Sequence, residues 1–293
     1  MLFNNFNESV KAATATQKMN IIIEAVIVLL ILSIVAAMLR NSVLSRRFHT
    51  YVSALFANSE NISDKVFTHQ QMLNVPEPVQ RYFKHVLKEG QPYVSYLRLT
   101  HTGQFKAGLK KQWTAIKGEQ YFTTAKPGFI WKGKTSQFTA LDMYIAQKGR
   151  LVVFLFSLFK IVDSSGDKFN QGELLRWLGE SVWFPTNLLP GENLNWQPID
   201  DTAAKLIYKY NNLTLIYTVM FNDKDEIEQM ETERYLGEGG LEKWVVKCGN
   251  YQVKNDMLVP MTAEVLWRLK EGDLSYAKFN VEKLEYNEPA RFK

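Results

Sequence analysis

From residue 93 onward the apolar residues of this chain recur at every second position, and very short polar breaks separate the runs that carry this period. In the C-terminal half, "AAKLIYKY", "LTLIYTVMF" and "EIEQMETERYL" are split by "NN" and "NDKD". "KWVVKCGNYQV", "LVPMTAEVLWRL" and "DLSYAKFNVEKLEY" are split by "KNDM" and "KEGD". A period of two places alternate side chains on opposite faces of a strand. The breaks are too short for a parallel crossover, which takes about a dozen residues or more. Neighbouring runs must therefore pair as antiparallel hairpins. "SYLRLTHTGQF", "KQWTAIKGEQYFTTAKPGFIWKG" and "FTALDMYIAQKG" carry the same pattern earlier in the chain. Together these runs predict about ten strands. A sheet that wide curls, and a curled sheet has a concave apolar face that helices, a ligand or both must fill.

Three segments break the period. "VPEPVQRYFKHVLKEG" (75–90) reads as a helix with Pro78 in its first turn, where a missing N–H is harmless, and Gly90 as its C-cap. "LVVFLFSLFKIV" (151–162) is either a buried strand or a buried helix, because a short apolar run does not distinguish the two. "GELLRWLGESVWFPTNLLPG" (172–191) predicts a helix that starts after Gly172 and that Pro185 ends by Phe184. The predicted class is mainly β (α+β): a large curved antiparallel sheet or half-barrel with two or three packing helices. No βαβ rhythm and no glycine-rich phosphate loop is present.

Ile21–Leu39, "IIIEAVIVLLILSIVAAML", holds 19 residues with Glu24 as its one charge. As a helix it spans about 28 Å, close to the roughly 30 Å of a bilayer core. Its length and weakly basic leader favour an uncleaved anchor over a signal peptide, although "VAA" at 35–37 resembles a cleavage site. The expected organisation is a loose tail (1–19), a transmembrane helix (20–40), a juxtamembrane amphipathic helix and linker (41–65) and one curved-sheet domain (66–293). The expected location is single-pass in a bacterial inner membrane. Lysines and arginines are too evenly divided across the span to orient it.

The net charge of +5 is spread along the chain, which fits an ordinary solvated surface better than a binding face, and no nucleic-acid-binding motif accompanies it; the apolar segment makes membrane lipid the expected partner. Cys248 is the single cysteine, which excludes an intrachain disulfide and a CxxC site. His49, His69, His85 and His101 form no ligand-spaced pair, and neither a metal nor a cofactor is expected.

Arg176 and Glu180 stand out because they lie among tryptophans and leucines. At i and i+4 on a helix they can form an ion pair, and Arg176 can also reach a strand carboxylate such as Asp142. They can equally be a polar pair beneath a lipid site. Catalysis by Glu180 is a third reading, with no second group at a telling spacing to support it. "PGFIW" (127–131) places Phe129 and Trp131 as core fillers or as the rim of a lipid cavity. "IDD" (199–201) reads as a turn, since adjacent strand residues point to opposite faces. The candidate ligand-binding residues are Phe129, Trp131, Arg176, Trp177, Glu180 and Trp183, and no catalytic residue is assigned.

"VPEPVQRYFKHVLKEG", "TTAKPGFIWKG", "GELLRWLGESVWFPTNLLP", "NWQPIDD" and "VPMTAEVLWRLKEGDLSYAKFNVEKLEYN" resemble, in the same order, the signature blocks of a functionally uncharacterised bacterial domain family. The match covers roughly residues 70–287, and members often carry one N-terminal membrane helix. By analogy of strand and helix order the fold is similar to the lipoprotein-sorting (LolA-like) half-barrels, which hold acyl chains in a curved sheet lidded by helices. The resemblance implies a membrane-anchored protein that holds a lipid or lipidated chain. The anchor departs from soluble lipoprotein carriers and speaks against shuttling. The alternatives are a structural or partner-binding envelope protein with a self-filled core, and an enzyme centred on Glu180.

If the apolar run is an uncleaved anchor, the full chain resists carbonate extraction from membranes and keeps its N-terminus. Recovery of a mature chain beginning near Met38 would make the run a signal peptide instead.

Overall fold

The computed structural model describes residues 2–292 except 107, 109 and 110, and for residues 2–16 and 36–41 it describes the backbone alone. The chain divides into two compact units, Met1–Arg47 and Phe48–Lys293. One helix, α1 (Leu2–Ala57), runs through the first unit into the second. No glycine or proline interrupts it over that length. Its backbone is therefore helical where the sequence reading expects a loose tail at 1–19, and the "VAA" stretch and Arg40 fall mostly among the undescribed side chains. Within the first unit, Gln17–Val35 is long and apolar enough to cross a membrane, with a mean hydropathy of 2.4 and its side chains exposed.

The second unit is built on one antiparallel sheet of 13 strands. The first six are β1 (Tyr96–Phe105), β2 (Thr114–Thr123), β3 (Gly128–Lys134), β4 (Phe138–Ile145), β5 (Lys148–Leu155) and β6 (Phe159–Ser165). The remaining seven are β7 (Leu194–Pro198), β8 (Ala203–Tyr210), β9 (Leu213–Phe221), β10 (Ile227–Tyr235), β11 (Leu241–Lys254), β12 (Met257–Leu269) and β13 (Gly272–Tyr286). The spatial order is β6-β5-β4-β3-β2-β1-β13-β12-β11-β10-β9-β8-β7. Each half is a meander of hairpins, and the pairing of β1 with β13 fuses them. The sheet stays open, with β6 and β7 as its edges.

Three strands exceed the sequence expectation: β5, β6 and β7. The run at 151–162 is neither one strand nor a helix. It turns at Phe156 and Ser157, with φ of 50° and 59°, so it supplies parts of two strands. A phenylalanine at positive φ is uncommon, which is why no turn was legible there. The predicted breaks elsewhere do hold turns: Asn211 has φ 52°, and Asn255 and Asp256 have φ 48° and 64°. Paired positive φ values match the twist of a two-residue hairpin. "IDD" also makes a turn, in which Asp200 accepts the Thr202 N–H at 2.8 Å.

The helices cover both faces. α2 (Glu77–Val86) begins through Pro78 as expected, but it ends at an extended Leu87, and Gly90 (φ 81°) shapes the loop beyond it. It buries Tyr82 against Phe221 and Phe83 against Trp196. α3 (Asp167–Gly179) starts six residues earlier than expected, after Gly166, and two short 3-10 turns follow it (Glu180–Trp183 and Pro185–Leu188). Gly172 lies inside the helix because a Cβ there would stand 3.0 Å from the Arg234 side chain.

The last turns of α1 lie on the opposite face of the sheet. Phe48 and Phe56 approach Tyr121 at 6.0 and 5.8 Å, and Lys132 Nζ lies 4.2 Å over the Phe48 ring. Phe48, Val52 and Leu55, in the stretch expected as a juxtamembrane amphipathic helix, are thus buried within the unit, which begins at Phe48 rather than at 66. Gln120 and Trp131, one residue before Tyr121 and Lys132, point to the α3 side, as strand alternation demands.

The β1–β13 seam holds the two meanders together. Leu99 is fully buried there, opposite Leu284. Leu99→Ala leaves a cavity at the seam and costs about 2–5 kcal/mol. Denaturant unfolding followed by tryptophan fluorescence measures it. A cost below about 1 kcal/mol would mean that the two halves hold independently.

Candidate functional site

Strands from both halves and α3 enclose a cavity of about 600 Å³. That volume lies within the roughly 300–1,000 Å³ typical of small-molecule pockets. Its walls run from Ile161 on β6 through β1 to Arg234 on β10, so the sheet must curve for residues this far apart in strand order to share one space. Most of the lining is apolar, including Ile116, Val246, Ala263, Trp267 and Phe279.

A row of small residues shapes part of the concave face. His101, Gly118, Gly133 and Ala140 lie side by side across β1 to β4. A side chain on Gly118 would occupy the His101 imidazole, and one on Gly133 would occupy the Trp131 ring. Without them both rings lie down over the sheet, with planes within 2° of each other, and Trp131 Nε1 donates to His101 Nε2 at 2.8 Å. Burial pushes the His101 imidazole down to about 4, so near neutral pH it is uncharged and accepts that hydrogen bond.

Above the row sits a buried ionic cluster. Arg176, in the last turn of α3, binds Asp142 of β4 through Nη1 at 2.5 Å and Glu180 through Nε at 3.0 Å. Its guanidinium lies 4.9 Å over the Phe129 ring and 5.2 Å over Trp131. Gln120 of β2 donates to the other Glu180 oxygen at 2.7 Å. Arg234 donates to Glu173 at 2.9 Å and stacks on Trp244 at 4.8 Å. Two guanidiniums therefore face three carboxyl groups. Burial pushes the Glu173 carboxyl up to about 8, with the nearby Asp142 charge adding to the shift. Burial also raises Glu180, against the pull of Arg176 and Gln120. No protein donor reaches Asp142 Oδ1 or Glu173 Oε2, and the two carboxyl groups are in side-chain contact with each other.

Of the six candidate residues, Trp131, Arg176, Glu180 and Trp183 line the cavity. Phe129 and Trp177 do not. Phe129 is fully buried under Arg176 and against Phe122, and Trp177 faces Tyr208 and donates to the Thr123 carbonyl at 2.9 Å. Adjacent helix positions point about 100° apart, so Arg176 and Trp177 cannot share one direction. Both Glu180 oxygens are held by donors of the fold, which suits a positioning ion pair. Among the described residues no group of His, Cys, Asp or Glu is placed to hold a metal ion.

Gln120, Glu173 and Arg234 escaped the sequence reading. A signal for Arg234 exists: it shares a strand face with Met230 and Thr232, both buried, so an arginine sits where alternation calls for an inward side chain.

The sequence pattern of a family described as "Family of unknown function (DUF6544)" matches residues 65–279. No curated protein matches the chain. One similar solved structure is a putative outer membrane lipoprotein-sorting protein domain from Vibrio parahaemolyticus. It is 12% identical, with a TM-score of 0.42, over 72% of this chain and 91% of that one. Another is a LolA superfamily protein from Nitrosomonas europaea, 10% identical, with a TM-score of 0.40, over 76% of this chain and 94% of that one.

The cluster makes the two arginine partners unequal. Arg176→Met strands two buried carboxylates and destabilises by about 3–5 kcal/mol. Glu180→Gln keeps an acceptor for Arg176 and removes the surplus negative charge, so it costs about 1 kcal/mol. Thermal melts check the order, and the double variant recovers part of the Arg176→Met loss. Equal and negligible effects would show the pair to be solvated.

Proposed function

The chain belongs to the DUF6544 family of unknown function, and from the geometry of its cavity we propose that it holds an apolar ligand, a lipid or lipidated chain, between the curved sheet and α3. The carrying observation is the 600 Å³ space with a mostly apolar lining, which the chain's own side chains leave unfilled. A self-filled core would have closed this space, since protein interiors pack to the density of organic crystals. The buried ionic cluster on its wall supplies the few convergent polar groups by which such a pocket orients a ligand. Gln17–Val35 supports a membrane location, and we read it as an uncleaved single-pass anchor in the inner membrane. A tethered chain of this kind retains or presents its ligand locally rather than carrying it across a compartment.

Native mass spectrometry of the full-length chain purified from membranes tests the reading. A bound species of lipid mass is expected. Ala140, which is half-buried and faces the cavity, is the place to fill it, and Ala140→Trp is expected to lose most of the bound mass while keeping the β-rich circular dichroism of the parent. A parent chain without bound lipid, or a filled variant that retains as much as the parent, would overturn the proposal.

A further inference from the structure

We propose that the tip of the β5–β6 hairpin, Phe156 to Phe159, docks into the interface of an anionic lipid bilayer. The proposal rests on the membrane location argued above and adds the surface by which the sheet unit meets lipid. Phe156 and Phe159 are 56% and 64% exposed, and among the side chains the structure describes they are the only exposed aromatic ones. Ile161 is 51% exposed and also lines the cavity, so the patch adjoins the pocket. Phe156 is the harder residue to account for. Its φ of 50° is a left-handed backbone that a bulky side chain adopts only under strain. Asn or Gly would make this turn with less strain, and an exposed ring gains no burial to offset it. Strain that neither turn chemistry nor packing explains points to a use outside the unit.

Exposed apolar patches mark protein or membrane partners, and here charge and chain connection select the membrane. Residues 132–141 and 150–162, which carry the two turns at this end of the sheet, hold Lys132, Lys134, Arg150 and Lys160 and no acidic residue. Asp163 serves both Arg150 and Lys160, and Lys132 pairs with Glu119. Lys134 is exposed and stands opposite exposed Lys117 of β2. A surplus of cations around an apolar tip suits anionic head groups. The chain enters the sheet unit at Phe48, against Lys132 and so toward the same end of β3. The β3–β4 turn at that end holds the tip: the Gln137 carbonyl accepts the Phe156 N–H at 2.6 Å, and the Thr139 and Ser157 hydroxyls lie 2.9 Å apart. Only residues 36–47 separate Phe48 from the apolar stretch Gln17–Val35, a tether of about 18 Å as a helix. The rival occupant is a second copy paired along the β6 edge. Exposed Lys160 on β6 and a register shift against β5, between Val153 and Phe154, both blunt that edge.

The test uses the full-length chain, with Cys248→Ala to remove its single thiol, reconstituted into vesicles of phosphatidylcholine and phosphatidylglycerol. Ser136→Cys places an NBD fluorophore in the turn beside the tip, and Gln147→Cys places it, in a parallel sample, at the other end of β5. Doxyl-labelled lipid is expected to quench the dye at position 136 about threefold or more over that at 147, because interfacial apolar groups seat about 5–10 Å into the head-group boundary. Phe156→Ser combined with Phe159→Ser is expected to bring position 136 down to the level of 147, with circular dichroism and carbonate resistance unchanged. Vesicles of phosphatidylcholine alone are expected to quench position 136 less.

Equal quenching at the two positions in a chain that resists carbonate, or a double variant quenched like the parent, would overturn the docking and leave the membrane location standing. Protection of the dye at 136 from aqueous iodide without doxyl quenching would put a second copy on the patch and overturn it too. Quenching as strong in phosphatidylcholine alone would overturn the anionic preference. Loss of the chain from the vesicles in carbonate would overturn both readings.

Discussion

Arg176 joins separate parts of the chain at one buried point. It reaches its own helix turn through Glu180, strand β4 through Asp142, and the faces of Phe129 and Trp131 on β3. Its side chain is only 11% exposed, so the loss of hydration is large and has to be offset by well-placed partners. That requirement positions α3 closely. Sliding the helix by one turn, about 5.4 Å, would carry the guanidinium away from Asp142 and leave both charges buried and unpaired. The site at the end of α3 also suits a cation, because the last turn of a helix presents unsatisfied carbonyls. Arg234 repeats the arrangement from the other half of the sheet, binding Glu173 one helical turn before Arg176. The lid is therefore clamped by an ionic contact from each meander.

The sheet makes this clamp possible. Pairing the first strand with the last places β6 and β7 at opposite edges, and the segment between them, α3 with its two 3-10 turns, lies in the concavity they bound. The two faces then take different work. The outer face receives the end of α1, and the inner face carries the glycine row, the flat His101–Trp131 pair and the ionic cluster. Small residues in register across β2 to β4 keep the inner surface low, so that large side chains from neighbouring positions lie along it without filling the space above. What remains is a pocket that is apolar except at one polar corner.

Parts of the site were legible in advance. The i, i+4 spacing of Arg176 and Glu180 showed that they could pair, and the strand partner Asp142 could be named because one arginine among tryptophans needs more than one acceptor. The tryptophans were harder. Trp131 and Trp183 line the cavity while Trp177 is packed against Tyr208, and composition does not distinguish a wall from a core. Only the direction of each side chain does. The hairpin at 156–157 was illegible for a local reason, since its turn is made by Phe and Ser rather than by Asn or Gly.

The sequence by itself determined ten of the strands, their antiparallel order within each meander, the entry of α2 through proline and the apolar segment near the N-terminus. These depend on side-chain period, turn chemistry and length, all of which act over a few residues. Tertiary structure alone decided that β1 pairs with β13, as in the Arg98–Glu285 contact across 187 residues, and that Glu173 meets Arg234 across 61. Such contacts form only after a long loop has closed, and what selects them is the burial and charge balance of the whole assembled face, which no local pattern records.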